Sequence, residues 1–428
     1  MDTLKLNSRG PDVALLQAIL NRLGFNSGTV DGIFGFRTQN GVLRFQRSVG
    51  LTDDGVVGAK TWAALQPYLM GYQTVLIRAG DTFFDLARRY RTTVAAIETA
   101  NPNLNPNQLQ IGQRVIVPLR DPVVLTNVPY TSQTLRRNIE GLTKRYPFLR
   151  TGVVGRSVNG QQIPYLIFGN GPVKVGYNAS HHANEWITTP ILMKFTEQMC
   201  QAYAFGLSLA DSDVRRLWEK TTFVIVPMVN PDGVDLVTGE YAPDSKEYNA
   251  ALALNTDLPF PEGWKANIVG TDLNLNYPAG WEEARRIKFE QGYTRPGPRD
   301  YVGPSPLSAP ESRAMAQFTE QQDFRLILAY HTQGELIFWK YLDYLPENSL
   351  EIAQRFSEVS GYAVEETPYS SGFAGYKDWF IQNWNRPGYT IECGRGVNPL
   401  PISQFNEIYR DNLGILLLGG QLAEERGK

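Results

Sequence analysis

Apolar residues recur at helical spacing from the start of the chain. Val13, Leu15, Leu16, Ile19, Leu20 and Leu23 fall on one face of a helix that Pro11-Asp12 opens and Gly24 closes. A second periodic stretch, Thr38 to Val49, lies between two glycine-bearing turns, Asp31-Gly32-Ile33-Phe34-Gly35 and Asp53-Asp54-Gly55-Val56-Val57-Gly58. A small helical domain over residues 1–70 is the expectation. The pattern then changes. Thr74-Val75-Leu76-Ile77 reads as a strand, Gly80-Asp81-Thr82 caps a helix through Phe83, Leu86, Ala87 and Tyr90, and a second capped helix runs from Thr93 to Ile97. An Asn/Pro-rich turn from Asn101 to Asn107 leads to a closing strand, Arg114 to Pro118, which gives a βααβ module over residues 71–120. From about 126 to 428, strand-like runs at Val173–Ala179, Thr222–Pro227, Leu326–Tyr330 and Gly388–Ile391 alternate with helical stretches at 189–203, 309–321, 349–360 and 404–426. That alternation predicts an α/β domain, its mixed central sheet covered by helices on both faces, with the chemistry at strand ends.

Composition narrows the class. With 42% apolar and 20% charged residues the 428-residue chain is globular, and two cysteines, Cys200 and Cys393, are too few for a disulfide scaffold. Both are expected to be free and buried. No apolar run reaches the length of a membrane span, and the start, Met1-Asp2-Thr3-Leu4-Lys5, has no signal-peptide pattern. A net charge of −2 excludes a strongly basic nucleic-acid binder. Residues 1–120 carry 13 Lys and Arg against 8 Asp and Glu, leaving 28 against 35 of the totals of 41 and 43 for the rest. A mildly basic front suits an anionic surface, although ordinary solvated faces give the same count.

The three histidines sit at two places, His181-His182 and His331, each directly after a strand-like run. His182 and Glu185 are three apart, where one helical turn aims both at a common point. With His331 they make a two-histidine, one-carboxylate set with an open fourth position, the pattern of a catalytic zinc site. Taken alone, the short string fits a capping or core-satisfied histidine pair as well.

Longer strings add family resemblances. Asp31-Gly32-Ile33-Phe34-Gly35, Phe45-Gln46 and Asp54-Gly55-Val56-Val57-Gly58 with Thr61-Trp62 resemble the peptidoglycan-binding domain of wall hydrolases, and residues 72–118 resemble the LysM module, which binds N-acetylglucosamine-containing glycans. Ser180-His181-His182-Ala183-Asn184-Glu185-Trp186-Ile187-Thr188 resembles the metal-binding signature of the zinc carboxypeptidase family, the relatives of carboxypeptidase A. Asn230-Pro231-Asp232-Gly233, Asp272-Leu273-Asn274, Tyr330-His331-Thr332, Asp378-Trp379 and Thr390-Ile391-Glu392 follow in that family's order over roughly 126–428. Trp264-Lys265-Ala266-Asn267, the string from Ser371 to Phe380 and Asn398-Pro399-Leu400-Pro401 are most similar to the bacterial γ-D-glutamyl-L-diamino acid endopeptidases.

The resemblance implies one zinc ion on His182, Glu185 and His331, Glu392 as general base, Asp272 as the carboxylate behind His182, and Lys265 where the family usually has an arginine polarising the scissile carbonyl. It makes His181 a neighbour of the site and Asn274 a substrate contact. Leu275 replaces the arginine with which the carboxypeptidases grip a C-terminal carboxylate, which points to an endopeptidase. Arg395, three after Glu392, is a candidate reader of a diaminopimelate carboxylate or equally a surface residue, and Tyr369 a candidate for the family's flexible tyrosine. The implied activity is hydrolysis of the γ-D-glutamyl–meso-diaminopimelate bond in peptidoglycan stem peptides, with the front modules on the glycan strands. Two other readings are a zinc carboxypeptidase trimming ordinary peptides and a decayed wall or spore-coat binding protein; the second predicts loss of a ligand or the base, and all four are present. Expected locations are the cell wall or spore layers after cytoplasmic synthesis, or the cytoplasm in muropeptide recycling.

Overall fold

The computed structural model describes residues 1–256 and 258–425. By internal contacts the chain divides into two units, Met1–Arg150 and Thr151–Lys428.

In the front unit, α1 (Pro11–Arg22), α2 (Phe36–Ser48) and α3 (Ala59–Met70) enclose Val13, Leu16, Leu20, Phe34, Val42, Phe45 and Leu65. Each Asp-Gly turn wraps a buried glutamine. The Gln17 Nε2 lies 2.9 Å from Asp31 Oδ1, 3.1 Å from the Ile33 carbonyl and 3.1 Å from Thr38 Oγ1, while its Oε1 accepts the N–H groups of Asp31 and Gly32. Gln46 repeats the arrangement with Asp54 Oδ1, the Val56 carbonyl, Thr61 Oγ1 and the Gly55 N–H. Gly32 and Gly55 have φ of 71° and 70°, a left-handed conformation that favours glycine. The two strings are therefore one structural device used twice, a buried glutamine amide hydrogen-bonded to the backbone and threonine of its turn.

Next, β1 (Tyr72–Leu76) pairs antiparallel with β2 (Arg114–Pro118), and α4 (Phe83–Arg89) and α5 (Val94–Ala100) lie between them in sequence. Thr82 and Thr93 cap these helices, accepting the N–H groups of Asp85 and Ala96. The Asn101 side chain donates to the carbonyls of Ile97 and Ile116 and accepts the Ile116 N–H, which pins the turn to β2. By its contacts α6 (Ser132–Arg145) groups with the front unit. Gly141 permits this approach, since a Cβ there would come within 2.4 Å of the Met70 carbonyl oxygen.

The rear unit is built on β3 (Arg150–Arg156), β4 (Gln162–Phe168), β5 (Val173–Ala179), β8 (Thr221–Val226), β9 (Phe324–His331), β10 (Leu336–Phe338), β11 (Ala363–Glu365) and β12 (Gly388–Glu392). A separate small hairpin supplies β6 (Ser208–Leu209) and β7 (Ser212–Asp213). The eight strands form one mixed sheet in the order β11-β10-β12-β9-β5-β8-β4-β3, with β12, β9, β5 and β8 mutually parallel.

Alternation along the central strands sorts the two faces. Val224, Val226, Ile327 and Ala329 share a core with helices Trp281–Glu290, Pro310–Glu320 and Tyr376–Trp384. Tyr177, Phe223 and Leu328 face the helix Phe405–Glu425, where a Cβ on Gly419 or Gly420 would collide with Tyr177 or Phe223. The helices expected at 189–203, 309–321, 349–360 and 404–426 are Thr188–Phe205, Pro310–Glu320, Ser349–Ser360 and Phe405–Glu425; position 426 lies outside the described residues. The fold class expected from the alternation is the one observed. No helix among the described residues is long and apolar enough to cross a membrane.

Candidate active site

Three adjacent parallel strands, β5, β9 and β12, end at one place. His331 closes β9, Glu392 closes β12, and the two are register partners. After β5 the chain turns through Ser180, with φ of 52°, into His182 and a 3-10 turn, Ala183–Glu185. Hydroxyls hold this turn: Ser180 Oγ lies 2.8 Å from Thr189 Oγ1, and Thr188 Oγ1 donates to the Glu185 carbonyl at 2.7 Å. The cluster lies at the carboxyl ends of parallel strands, the usual ligand position in open α/β sheets.

The Glu185 carboxylate stands between two imidazoles, with Oε1 2.8 Å from His182 Nδ1 and Oε2 2.9 Å from His331 Nδ1; the two Nδ1 atoms are 3.1 Å apart. All three side chains are buried, and one ligand atom from each lies within 4.8 Å of the others. The His182 Nε2 is 3.1 Å from Asp272 Oδ1, which turns Nδ1 toward Glu185 and His331. Asp272 Oδ2 in turn accepts the Asp300 N–H and lies 3.9 Å from Lys265 Nζ. Two imidazole nitrogens and a carboxylate converging in a buried site, one imidazole backed by an outer carboxylate, fit a zinc ion held by three protein ligands.

The charges are strongly coupled. Burial opposes charge on Glu185, yet His182 and His331 hold its carboxyl well below the usual range; for Asp272, Lys265 and His182 likewise outweigh burial. Burial pulls His182 down, but Glu185 and Asp272 lift it to about 9. At pH 7 a metal ion must therefore displace a proton from His182. We predict that zinc affinity of the metal-free protein, measured by chelator competition, rises about tenfold per pH unit below 9 and levels off above it. A flat profile between pH 6 and 8 contradicts that coupling.

Glu392 lines the same space, half-buried, with His182 and Lys265. Burial and then repulsion from Glu185 raise it to about 8, against the pull of Lys265 and His182. A carboxylate facing the ligand cluster and the Lys265 ammonium can both take and return a proton. The Lys265 carbonyl accepts the Ala183 N–H, which ties the lysine's loop to the 3-10 turn beside the triad. Asn274 Oδ1 accepts the Tyr376 N–H at 2.9 Å, and the side chain also lines the cleft.

The residue order and this geometry are those of known metallopeptidases. The zinc carboxypeptidase model matches residues 135–414, most of the chain. The chain belongs to the zinc carboxypeptidase family. Two further family models match in front of it, a putative peptidoglycan binding domain over 9–65 and a LysM domain over 75–118. This member of the family is 42% identical to γ-D-glutamyl-L-diamino acid endopeptidase 1 of Lysinibacillus sphaericus over 81% of this chain and 99% of that protein. It is 38% identical to the uncharacterized protein YqgT of Bacillus subtilis over 67% of this chain and 76% of that protein. Its fold matches bovine thrombin-activatable fibrinolysis inhibitor with a TM-score of 0.53 at 18% identity, covering 69% of this chain and 97% of that one. The protein is thus a zinc metallopeptidase with two modules of wall-binding type, a combination that associates it with peptidoglycan.

The structure brings His182, Glu185, His331, Asp272, Lys265, Asn274 and Glu392 together. His181 is a neighbour, its Nε2 3.0 Å from the Tyr277 hydroxyl. Both cysteines are free and buried. Two expected substrate contacts stand at the surface. Arg395 is exposed and pairs with Glu335, because the chain turns outward after Cys393. Tyr369 is also exposed, donates to Glu283 Oε1 at 2.9 Å and lines an adjoining cavity with Phe373 and Asp378. The sequence reading missed two charged pairs that line the inner pocket beyond Asn274 and Leu275. Lys377 Nζ lies 2.6 Å from Asp378 Oδ1, and Lys288 Nζ lies 2.8 Å from Asp300 Oδ1. In the sequence Lys377 and Asp378 stand among Tyr376, Trp379 and Phe380, and nothing comparable marks Lys288 or Asp300.

Proposed function

We propose that this peptidase hydrolyses the bond between the γ-carboxyl of D-glutamate and meso-diaminopimelate in peptidoglycan stem peptides. The observation that carries this reading is the 42% identity to γ-D-glutamyl-L-diamino acid endopeptidase 1 over nearly that protein's whole length. The inner pocket supports it. Lys377 and Asp378 are both buried there, side by side, and present one charge of each sign. The distal centre of meso-diaminopimelate carries an ammonium and a carboxylate on one carbon, which suits such a matched pair better than an apolar side chain would.

His182, Glu185 and His331 would hold the zinc ion, which when bound would supply a Lewis acid toward the scissile carbonyl and lower the pKa of water at the site. Asp272 fixes the His182 ring through Nε2. Glu392 accepts a proton from the attacking water and delivers it to the diaminopimelate amine as the C–N bond breaks. The Lys265 ammonium donates to the carbonyl oxygen as negative charge develops on it. The front modules hold the enzyme on glycan strands, which raises the local concentration of stem peptides without new contacts at the site.

Leu275 gives the pocket no charge where the family's carboxypeptidases carry their clamp arginine. We predict that a tripeptide stem and its C-terminal amide are cut with kcat/KM values within about threefold of each other. An exopeptidase relying on a charged clamp loses about 10- to 100-fold on the amide, and that result favours the carboxypeptidase reading.

A further inference from the structure

Two spaces meet at the triad. The inner pocket, about 140 Å³, ends on Lys377 and Asp378. The outer cleft, about 710 Å³, opens toward residues 258–263 and 396–398. His182, Lys265 and Glu392 line both, so the scissile carbonyl lies at their junction. The acyl side of the substrate continues into a polymer and needs the open cleft, whereas the leaving residue's side chain fits the smaller pocket.

The outer cleft carries the carboxylates Glu185, Glu262 and Glu392, and its permanent cations are Lys265 and Arg299. Lys265 is committed to the carbonyl. The Arg299 side chain is 45% exposed, and Asp300 Oδ2 engages it through Nε at 2.6 Å. Asp300 is itself fixed: its N–H donates to Asp272, its other carboxylate oxygen takes Lys288, and its φ is 63°. A guanidinium anchored along one edge beside the catalytic loop presents its terminal nitrogens as a fork for a planar anion.

We infer that Arg299 binds the free α-carboxylate of the γ-linked D-glutamate, and so makes the enzyme select a γ-linkage over an ordinary peptide bond. This rests on the bond proposed above. A γ-linked glutamate carries a carboxylate four bonds from the scissile carbonyl carbon on the acyl side, a charge that among ordinary α-linked residues only glutamate places at that distance. Arg299 supplies the complementary charge on that side of the junction, and its tie through Asp300 to Asp272 holds it in register with His182.

The test compares kcat/KM for L-Ala-γ-D-Glu-meso-diaminopimelate with that for the same peptide bearing the α-carboxamide, γ-D-isoglutaminyl. Wild type is expected to prefer the acid by about 10- to 100-fold. Arg299→Gln brings the ratio to within about threefold of unity, and Arg299→Lys restores part of it. A variant that is merely destabilised loses activity on both peptides and keeps the wild-type ratio, so an unchanged ratio in Arg299→Gln overturns the assignment of Arg299 alone. A wild-type ratio near unity with both peptides cut overturns it as well, and leaves the bond assignment standing. Failure of the wild-type enzyme to cut either peptide overturns both.

Discussion

Replacing Glu392 with glutamine lowers kcat on a muropeptide substrate by about 10²- to 10⁴-fold and leaves zinc content unchanged. The side chain keeps its size, so the packing at the end of β12 is preserved, but the amide cannot accept the water's proton or return it to the departing amine. The two neighbouring carboxylates of the ligand cluster are already engaged. Glu185 is turned to His182 and His331, and Asp272 is engaged by His182 Nε2 and the Asp300 N–H. Steady-state kinetics together with metal analysis of the purified variant check this. A variant with wild-type kcat removes Glu392 from the mechanism.

Replacing His331 with alanine has a different signature. Zinc falls from about one ion per chain to a small fraction after dialysis, and activity falls with it, because two protein ligands do not make a stable site. The chain has three histidines in all, and the third, His181, points Nε2 at the Tyr277 hydroxyl and stacks against His331 with ring centroids 5.8 Å apart. It cannot move into the vacancy without breaking that buried contact. Metal analysis and activity together separate the variants: Glu392→Gln keeps the metal and loses turnover, and His331→Ala loses both. Retention of stoichiometric zinc and activity in His331→Ala places the metal elsewhere.

The site's frame was legible in the sequence because buried parallel strands are nearly continuous apolar runs, and His182, His331 and Glu392 stand at or just past their ends. The thresholds of the helices were legible for a similar reason, as with Thr82 and Thr93, whose short oxygen-bearing side chains announce a cap. Hydrophobic periodicity carries no information about buried polar groups, so the paired roles of Gln17 and Gln46 were invisible to it. The repeat is nonetheless written in the chain as Asp-Gly followed by threonine, from Asp31 to Thr38 and from Asp54 to Thr61. Lys377-Asp378 and Arg299-Asp300 read as solvated charge in one dimension, and only the sheet and its loops turn them toward the triad. Tyr369 and Arg395 were placed by distance along the chain from Asp378 and Glu392, and both stand at the surface on irregular backbone.

Mass spectrometry of products from defined tri-, tetra- and pentapeptide stems reads most directly which bond is cut and from which end of the chain it is reached. One cut is expected in all three, between γ-D-glutamate and meso-diaminopimelate, releasing diaminopimelate alone from the tripeptide and diaminopimelate still joined to D-alanine from the longer stems. Stepwise release of single C-terminal residues, with the γ-glutamyl bond intact in the longer stems, contradicts it.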